Sequence, residues 1–445
     1  MSIKDAIPGY NTLVIPYHII GTELSGLRYR HPAKNLRVIG VTGTNGKTTT
    51  CFMIWKMLNH AGLRAGLITT VAWGGVPTPD EESNTPSEEA MRFAVPLHKQ
   101  IEHMTTPKVS TLNKRIRAIK KAGAEFLVLE VTSHALAQYR TLGIPIEIAV
   151  MTNVTHEHLD YHKTFDRYVK AKTKLFKDAK FGIINLDDPS WQEFKHAISP
   201  DGNSNKYNTY SIENHGDFEA IKIQLSPEGV RYKARSEGQP TLEIRTKIPG
   251  KFNVYNSLAA VAVGRKLGLE DEQIEQGIYA LDNVEGRMNR VEAGQNFGVI
   301  VDFAHTPDAF QKVYDSVYPN PNGRIISLFG GAGRRDESTR ESRGEIAGKY
   351  SDLCIITEDD SRDEDPEKIA EMFKKGCKKA GLLDDQIIID LDREHAIKRA
   401  LEEAKSGDLV LILGKGHEKT ILRADGPHAF EDLEVTKRLL RQQQH

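Results

Sequence analysis

Cysteine is scarce in this chain of 445 residues: Cys51, Cys354 and Cys377 are its three cysteines, far apart and without metal-ligand spacing. That excludes a disulfide scaffold and a structural zinc, and it suits reduced thiols in a cytoplasmic protein. An excess of either charge is also missing. The 60 Lys and Arg stand against 61 Asp and Glu, for a formal net charge of -1, so bulk electrostatics gives no case for nucleic-acid or membrane binding. Long apolar runs are lacking too. The best candidate, Tyr10 to Tyr29, is broken by Pro16, His18, Glu23 and Arg28 and has no signal-peptide layout, so neither a leader nor a membrane insertion is expected. No internal repeat, heptad run or low-complexity tract is visible, and the polar tail Arg441–His445 is expected to fray.

What is present is an α/β pattern at a length that calls for two or three compact units. Leu36–Val41 reads as a buried strand, Gly43–Gly46 as a tight turn, and Lys47–Ala61 as a helix that stops at Gly62. Phe126–Val131, Ala149–Asn153 and Gly182–Leu186 read as further strands of one parallel sheet, each ending in polar residues, and ligands of such sheets sit at those ends. From Asp217 to Gly250 the pattern alternates, with turns at Ser226–Gly229 and Ser236–Gly238, which reads as an antiparallel meander decorating the first domain. After Glu285 a second series begins, with strands at Val299–Phe303, Ile325–Phe329, Leu353–Thr357, Ile387–Asp390 and Leu409–Leu413 and a helix over Asp365–Ala380. The expected fold is therefore α/β: a P-loop central domain with a parallel sheet over 36–284, after a short segment 1–35, and a C-terminal doubly wound, Rossmann-like domain over 285–445.

The loop Gly43-Thr44-Asn45-Gly46-Lys47-Thr48-Thr49-Thr50 carries the clearest chemistry. Two glycines let the backbone approach phosphate oxygens, the helix dipole adds positive potential, Lys47 supplies a point charge, and Thr48 offers a hydroxyl to a magnesium ion. Only two residues separate the glycines, where the usual P-loop has four. Two strand-end strings follow: Glu130 to Leu136 and Thr152 to His162. They bring oxygen ligands and imidazoles toward the loop, as a magnesium–ATP site requires. Taken singly, Glu130 reads equally well as a salt-bridged carboxylate, His158 as a surface histidine, and Asn253 and Asn256 as a helix N-terminus satisfying backbone groups.

With these strings, Asn185-Leu186-Asp187-Asp188-Pro189, Gly250–Asn256, Glu285–Met288, Asp302–Asp308, Asp359–Arg362 and Gly414–Glu418 in order, the chain from about Leu36 onward resembles the Mur ligases. These are ATP-dependent amide-forming enzymes of peptidoglycan assembly. The resemblance implies ATP and Mg2+, and an acyl-phosphate mechanism that adds a diamino acid to UDP-muramoyl-dipeptide. It casts Lys47, Glu130, His158 and Lys172 as catalytic, with Thr48, Glu130, His158 and a carbamate on Lys172 as metal ligands. Gly43, Thr44, Asn45, Gly46, Lys47, Thr48 and Thr49 then bind the nucleotide, with Asn253, Asn256, Arg287, Asp302 and His305. Tyr168 and Lys172 share a helical face, four residues apart. Judged on residues alone, Lys172 between Lys170 and Lys174 reads as a solvated lysine.

For the acceptor, the resemblance points to Thr105, Thr106, Thr132, Gln138 and Arg140; Thr132 stands where the family commonly has serine. For the amino acid it points to Arg335, Asp359, Asp360, Arg362, Gly414 and Glu418. Diaminopimelate-adding members read Asp-Asn-Pro-Arg where this chain reads Asp359-Asp360-Ser361-Arg362. A guanidinium at that place suits the second carboxylate of meso-diaminopimelate, and Glu418 its distal ammonium. Asp360 is an added carboxylate expected to neutralise Arg362 in part. The family's N-terminal domain of about a hundred residues, which holds UDP, is expected to be missing at full size, since only 35 residues precede Leu36. A cytoplasmic monomer with small-molecule substrates and no nucleic-acid partner is expected. Two rivals stay open: a folylpolyglutamate synthase-like ligase with a non-UDP acceptor, and a non-catalytic nucleotide-binding protein.

Overall fold

The computed structural model describes residues 15–78, 93–99, 105–226, 228–318, 323–335 and 337–443. Residues 1–14 of the short N-terminal segment, position 227 in the first meander turn, and the last two residues of the tail lie outside the described residues. Among the described residues no helix is long and apolar enough to cross a membrane. The chain forms two compact units. One holds the chain up to Gln224 with Val230–Thr246 and Phe252–Asp282, and the other holds Leu225–Gly229, Lys247–Lys251 and everything from Asn283.

The first unit is built on parallel strands β1 (Arg37–Thr42), β2 (Ala65–Ile68), β3 (Phe126–Glu130), β4 (Ile146–Met151), β5 (Phe181–Asn185) and β6 (Tyr207–Ser211). Their order across the sheet is β6-β5-β4-β1-β3-β2. Strands β3 and β5 are buried along their whole length, as their continuous apolar runs require when helices cover both faces. The helices that matter for the site are α1 (Ile15–Arg28), α2 (Lys47–His60), α3 (Val109–Lys121), α4 (Ser133–Ala137), α5 (Phe165–Lys177) and α6 (Lys251–Leu267). Helix α2 stops where the sequence puts Gly62: that residue has φ 79°, and Leu63 N–H donates to Leu58 O at 2.9 Å, which closes the last turn. Register sets the site, because Val41 pairs with Glu130 and Thr42 with Met151. The loop after β1 therefore emerges between the carboxyl ends of β3 and β4.

The expected meander is present as Phe218–Ser226, Gly229–Ser236 and Leu242–Thr246, which extend the same sheet beyond β6. Its last two strands pair antiparallel, with Tyr232 opposite Ile244 and alternate residues buried. Strand β2 and helix α1 carry no strong sequence pattern and add to the elements expected above. Helix α1 joins α3 through Asn113 Nδ2 donating to Ser25 Oγ at 3.0 Å.

The second unit is a doubly wound sheet of β7 (Gly298–Asp302), β8 (Ile325–Phe329), β9 (Leu353–Ile356), β10 (Ile387–Ile389) and β11 (Leu409–Leu413). These run parallel in the order β7-β11-β8-β9-β10, with Asn289–Arg290 antiparallel at the edge. Helices α7 (Pro307–Val317), α8 (Ser338–Tyr350), α9 (Pro366–Lys379), α10 (Arg393–Glu403) and α11 (Asp432–Gln443) complete it. Its core is Val299, Val301, Ile326, Leu328, Ile355, Val410 and Ile412 against Ala396, Ile397 and Leu439. Each expected strand of this unit agrees with an observed one to within a residue, as hydrogen-bonded boundaries allow, whereas in the first unit β4 starts at Ile146, three residues before the expected Ala149.

Candidate functional site

In the first unit the loop residues are fixed by what lies behind them. Gly43 has φ 153°, and a Cβ there would sit 1.9 Å from Thr152 Oγ1; Gly46 has φ 81°, and a Cβ there would sit 2.3 Å from Asn256 Oδ1. Both glycines are therefore obligatory, and the cradle they shape is one that a side chain would fill. Asn153 ties the loop down: its carbonyl accepts from Thr44 N–H at 2.7 Å, its Oδ1 from Asn45 N–H at 3.0 Å, and its Nδ2 donates to Asn45 O at 2.9 Å. The shorter glycine spacing is thus compensated by the end of β4. Lys47 Nζ arches back over the loop to Thr44 O at 2.6 Å.

Thr48 Oγ1 lies 3.1 Å from both oxygens of Glu130, and Thr70 N–H donates to Glu130 Oε2 at 3.0 Å. Glu130 and Thr48 are both buried, so a hydroxyl and a carboxylate, both hard oxygen donors, stand together at a helix N-terminus. That donor set fits a divalent cation shared with phosphate oxygens. His158 is placed differently. It caps the one-turn helix Leu159–His162 with φ 55°, its Nε2 lies 3.6 Å from Glu157 Oε1, and its ring packs edge-on against His134. It reaches the loop through a relay, in which Glu157 Oε2 is 3.5 Å from Tyr168 OH and that hydroxyl is 3.0 Å from Thr44 Oγ1.

Lys172 corrects the reading made from residues alone. It is not a solvated lysine: its side chain is 1% exposed on the inner face of α5, and Nζ donates to Gly43 O at 2.5 Å. Burial, and then repulsion by Lys47, hold its pKa well below that of a free lysine, against the pull of Glu157, Asp188 and Glu130. Lys170 and Lys174 flank it in sequence, but helical geometry turns only Lys172 inward with Tyr168. Asn253 and Asn256 also depart from the bland reading. Both are buried in α6, Asn256 Nδ2 donates to Asn253 Oδ1 at 2.8 Å, and Asn256 Oδ1 accepts from Thr50 Oγ1 at 3.3 Å, so the pair is linked and Asn256 reaches the loop helix.

The expected acceptor residues come together. Thr106 Oγ1 donates to Glu130 O at 3.0 Å and accepts from Thr132 N–H at 3.1 Å. Arg140 Nη1 donates to Thr106 O at 2.6 Å, and its Nε to Gln138 Oε1 at 3.0 Å. Thr105 is held by the Thr70 hydroxyl. Thr132 also caps α4, accepting from Ala135 N–H, which accounts for a hydroxyl there in either serine or threonine form. Burial lowers the Arg140 pKa.

In the second unit the Arg287 guanidinium lies 4.6 Å from the centre of the Phe303 ring, and His305 Nδ1 is 2.9 Å from Phe303 O. Asp302 is buried, its oxygens accepting from Met288 and Ala304 N–H at 2.7 Å each. Burial raises its pKa, while Arg287 opposes the rise. Among the described residues one trio of carboxylates is close enough to hold a cation: Asp359, Asp360 and Glu418. Lys415, fully buried, already sits there. Its Nζ donates to Asp360 Oδ1 at 2.8 Å, Glu418 Oε2 at 2.9 Å and Asp359 Oδ1 at 3.2 Å. Burial pulls the Lys415 pKa down, but the three carboxylates together outweigh it and the net shift is upward.

One expectation is corrected by this ammonium. Asp360 does not neutralise Arg362, because its Oδ1 is taken by Lys415 and by Leu422 N–H at 3.0 Å, while Arg362 Nη1 donates to Gly333 O at 2.7 Å. Glu418 is paired with Lys415 before any ligand is considered. Gly414 has φ 113° with Asp359 Oδ2 3.0 Å from its would-be Cβ, and Arg335 is exposed on the loop before α8. Sequence reasoning missed Asn153 and Lys415, although both lie inside strings it singled out. It also missed Thr70, Glu358 and Arg423, for which no local pattern gives a signal.

Residues 41–264 match the family model of the Mur ligase middle domain, and residues 286–416 that of the Mur ligase glutamate ligase domain. The UDP-N-acetylmuramoyl-L-alanyl-D-glutamate–2,6-diaminopimelate ligase of Syntrophomonas wolfei is 36% identical over 420 residues, 93% of this chain and 80% of that protein. A UDP-N-acetylmuramyl-tripeptide synthetase of Roseiflexus is 34% identical over 94% of this chain and 81% of its own length. A solved structure of a diaminopimelate ligase of the first kind aligns with TM-score 0.64 at 29% identity, covering 96% of this chain and 83% of that one. Folylpolyglutamate synthase of Mycobacterium tuberculosis aligns with TM-score 0.69 at 16% identity, over 89% of this chain and 92% of that one, a likeness of fold alone.

Proposed function

Since the chain belongs to the Mur ligase family and is an ADP-forming acid–amino-acid ligase, we propose that it joins meso-diaminopimelate to UDP-N-acetylmuramoyl-L-alanyl-D-glutamate in peptidoglycan synthesis. The names of its relatives support the acceptor and the diamino acid. The observation that carries the reading is the buried Thr48–Glu130 pair at the start of α2, with the Gly43–Gly46 cradle beside it. In this reading the enzyme is a cytoplasmic monomer acting on small molecules.

When bound there, Mg2+ and ATP supply the phosphoryl group and the charge screening for activation of the acceptor carboxylate. The carboxylate oxygen attacks the γ-phosphorus and ADP leaves; the neutral amine of the diamino acid then attacks the acyl carbon, phosphate leaves with the C–O bonding pair, and the departing phosphate takes the proton that the amine nitrogen gives up. The chain's own residues position and screen. Lys47 stands over the loop as the point charge for the outer phosphates, Thr48, Glu130 and His158 are assigned to the metal, and Asn253 and Asn256 to the adenine. A neutral Lys172 is the form that can take up carbon dioxide as a carbamate, which would convert it from a donor to an oxygen ligand. Thr105, Thr106, Thr132, Gln138 and Arg140 are assigned to the muramoyl-dipeptide. Arg287, Asp302 and His305 are assigned to the nucleotide, and Arg335, Asp359, Asp360, Arg362, Gly414 and Glu418 to the diamino acid.

The choice of diaminopimelate rests on Arg362 keeping its charge, because Asp360 is engaged by Lys415. A bidentate guanidinium–carboxylate pair rewards a second carboxylate and is wasted on lysine. ADP release with UDP-muramoyl-dipeptide across meso-diaminopimelate, lysine and ornithine tests the reading. Diaminopimelate should dominate, and Arg362→Ala should erode that preference. Equal use of lysine would defeat the specificity, and turnover of folate with glutamate alone would defeat the function.

A further inference from the structure

We propose that Glu358, acting through Ser361 and Arg423, is a positioning residue that presets Arg362 to receive a carboxylate of the incoming amino acid. This deepens the reading above and rests on it. Arg362 has φ 55°, a left-handed backbone that side chains other than glycine keep only where the surroundings impose it. The surroundings here are specific. Arg362 N–H donates to Leu422 O at 2.8 Å, and Leu422 N–H donates to the Asp360 side chain at Oδ1, 3.0 Å away, so one backbone bond and one carboxylate lace the turn to the hairpin strand Thr420–Arg423. Arg362 and Arg423 are paired across that seam as a parallel bridge.

Glu358 closes the seam from the side. Its carboxylate is buried, with Oε1 accepting from Ser361 Oγ at 2.7 Å and Oε2 accepting from Arg423 Nε at 2.9 Å and Nη2 at 2.7 Å. One carboxylate thus binds the residue before Arg362 and the residue opposite it. The guanidinium of Arg362 is meanwhile anchored on one side at Gly333 O, 2.7 Å away. The Arg423 side chain is 43% exposed, and half-exposed ion pairs contribute little to global stability, so the consequence of the bracket is local. Its loss lets the turn leave the left-handed state and carries the guanidinium away from its place. Glu358 touches no reacting atom in this scheme; it acts through Arg362.

The test uses the full chain with Glu358→Gln, Ser361→Ala and Arg423→Lys. In Glu358→Gln the KM for meso-diaminopimelate should rise about ten-fold while the KM for ATP stays within about two-fold, the split expected when a positioned charged contact is lost. Arg423→Lys keeps the charge but not the fork and should fall between wild type and Glu358→Gln. Glu358→Gln combined with Arg423→Ala should be no worse than either alone, since both break one link. Amide exchange supplies a readout that needs no turnover: residues 358–364 and 420–423 should exchange about ten-fold faster in Glu358→Gln with the rest of the second unit unchanged. An unchanged KM for the amino acid overturns the proposal, as does unchanged exchange in that turn or faster exchange throughout residues 283–443. If wild type turns over no diamino acid, the functional reading fails, and the exchange data still decide whether Glu358 holds the turn.

Discussion

Lys172 and Gly43 are joined across the first unit: Nζ of a lysine that is 1% exposed donates to the carbonyl that opens the phosphate loop, 2.5 Å away. The lysine is pressed toward its neutral form by burial and by Lys47. Replacing it with methionine keeps the volume and removes the amine. Lys172→Met is expected to lower kcat by about 10²–10³-fold, the scale of a lost electrostatic group at a reacting centre, with a smaller effect on ATP affinity. Depleting carbon dioxide should depress wild type reversibly and leave the variant unaffected. A Lys172→Met enzyme with full kcat would remove the residue from the mechanism.

Gly46 and Gly62 separate strain from contact. Both are left-handed, at φ 81° and 79°, but a Cβ at Gly46 would meet Asn256 Oδ1 at 2.3 Å, whereas one at Gly62 has nothing within 4 Å. Gly62→Ala is therefore expected to cost about 1 kcal/mol in urea unfolding, the backbone term alone. Gly46→Ala should cost about 2–4 kcal/mol, because either the loop or Asn256 must shift, and should weaken ATP binding more than about ten-fold. Equal effects of the two on ATP affinity would mean that the cradle is not the nucleotide site.

The glycines, Lys47 and the strand ends were readable because a buried parallel strand announces itself by its apolar run and its polar stop, as at Leu127–Glu130. The short spacing from Gly43 to Gly46 was readable only as a departure. What compensates it, Asn153, lies more than a hundred residues away, and its hydrogen bonds follow from the pairing of Thr42 with Met151. The depth of Lys172 is not legible in composition, since Lys170, Lys172 and Lys174 in alternation look solvated until the packing of α5 shows which one turns inward. The pairing of Asp360 with Lys415 was hidden for the same reason: 55 residues separate them in sequence, and the β9 and β11 ends bring them to 2.8 Å.

His417 gives a pH prediction. Burial, then Arg287, push its pKa down to about 3 from an ordinary 6.5, and its Nδ1 finds no hydrogen-bond partner among the described residues. The folded state therefore holds it neutral, while the unfolded chain binds a proton below 6.5. Its contribution is fully present above pH 6.5 and is lost as pH falls toward 3. Between pH 6.5 and 5 the loss should be about 2 kcal/mol, and His417→Gln should flatten that part of the curve. Denaturant titrations of both proteins at a series of pH values check it; parallel curves would show that the histidine does not carry the slope.

Lys415 is the opposite case, a buried charge that must stay. Its ammonium lies among Asp359, Asp360 and Glu418, with no exposed surface of its own. Removing one partner of such a cluster strands the others, so Lys415→Met should destabilise the second unit by about 3–5 kcal/mol. The cost should lie chiefly in the unpaired carboxylates and not in lost packing. Adding Asp360→Asn, which removes one of those charges and keeps its shape, should then recover about 1–3 kcal/mol by chemical unfolding. In the wild-type background the same Asp360→Asn change should instead be neutral or destabilising, because there it takes a partner from Lys415. The sign reversal between backgrounds separates charge compensation from simple crowding; if Asp360→Asn has the same effect in both, the ammonium is not what balances these three acids.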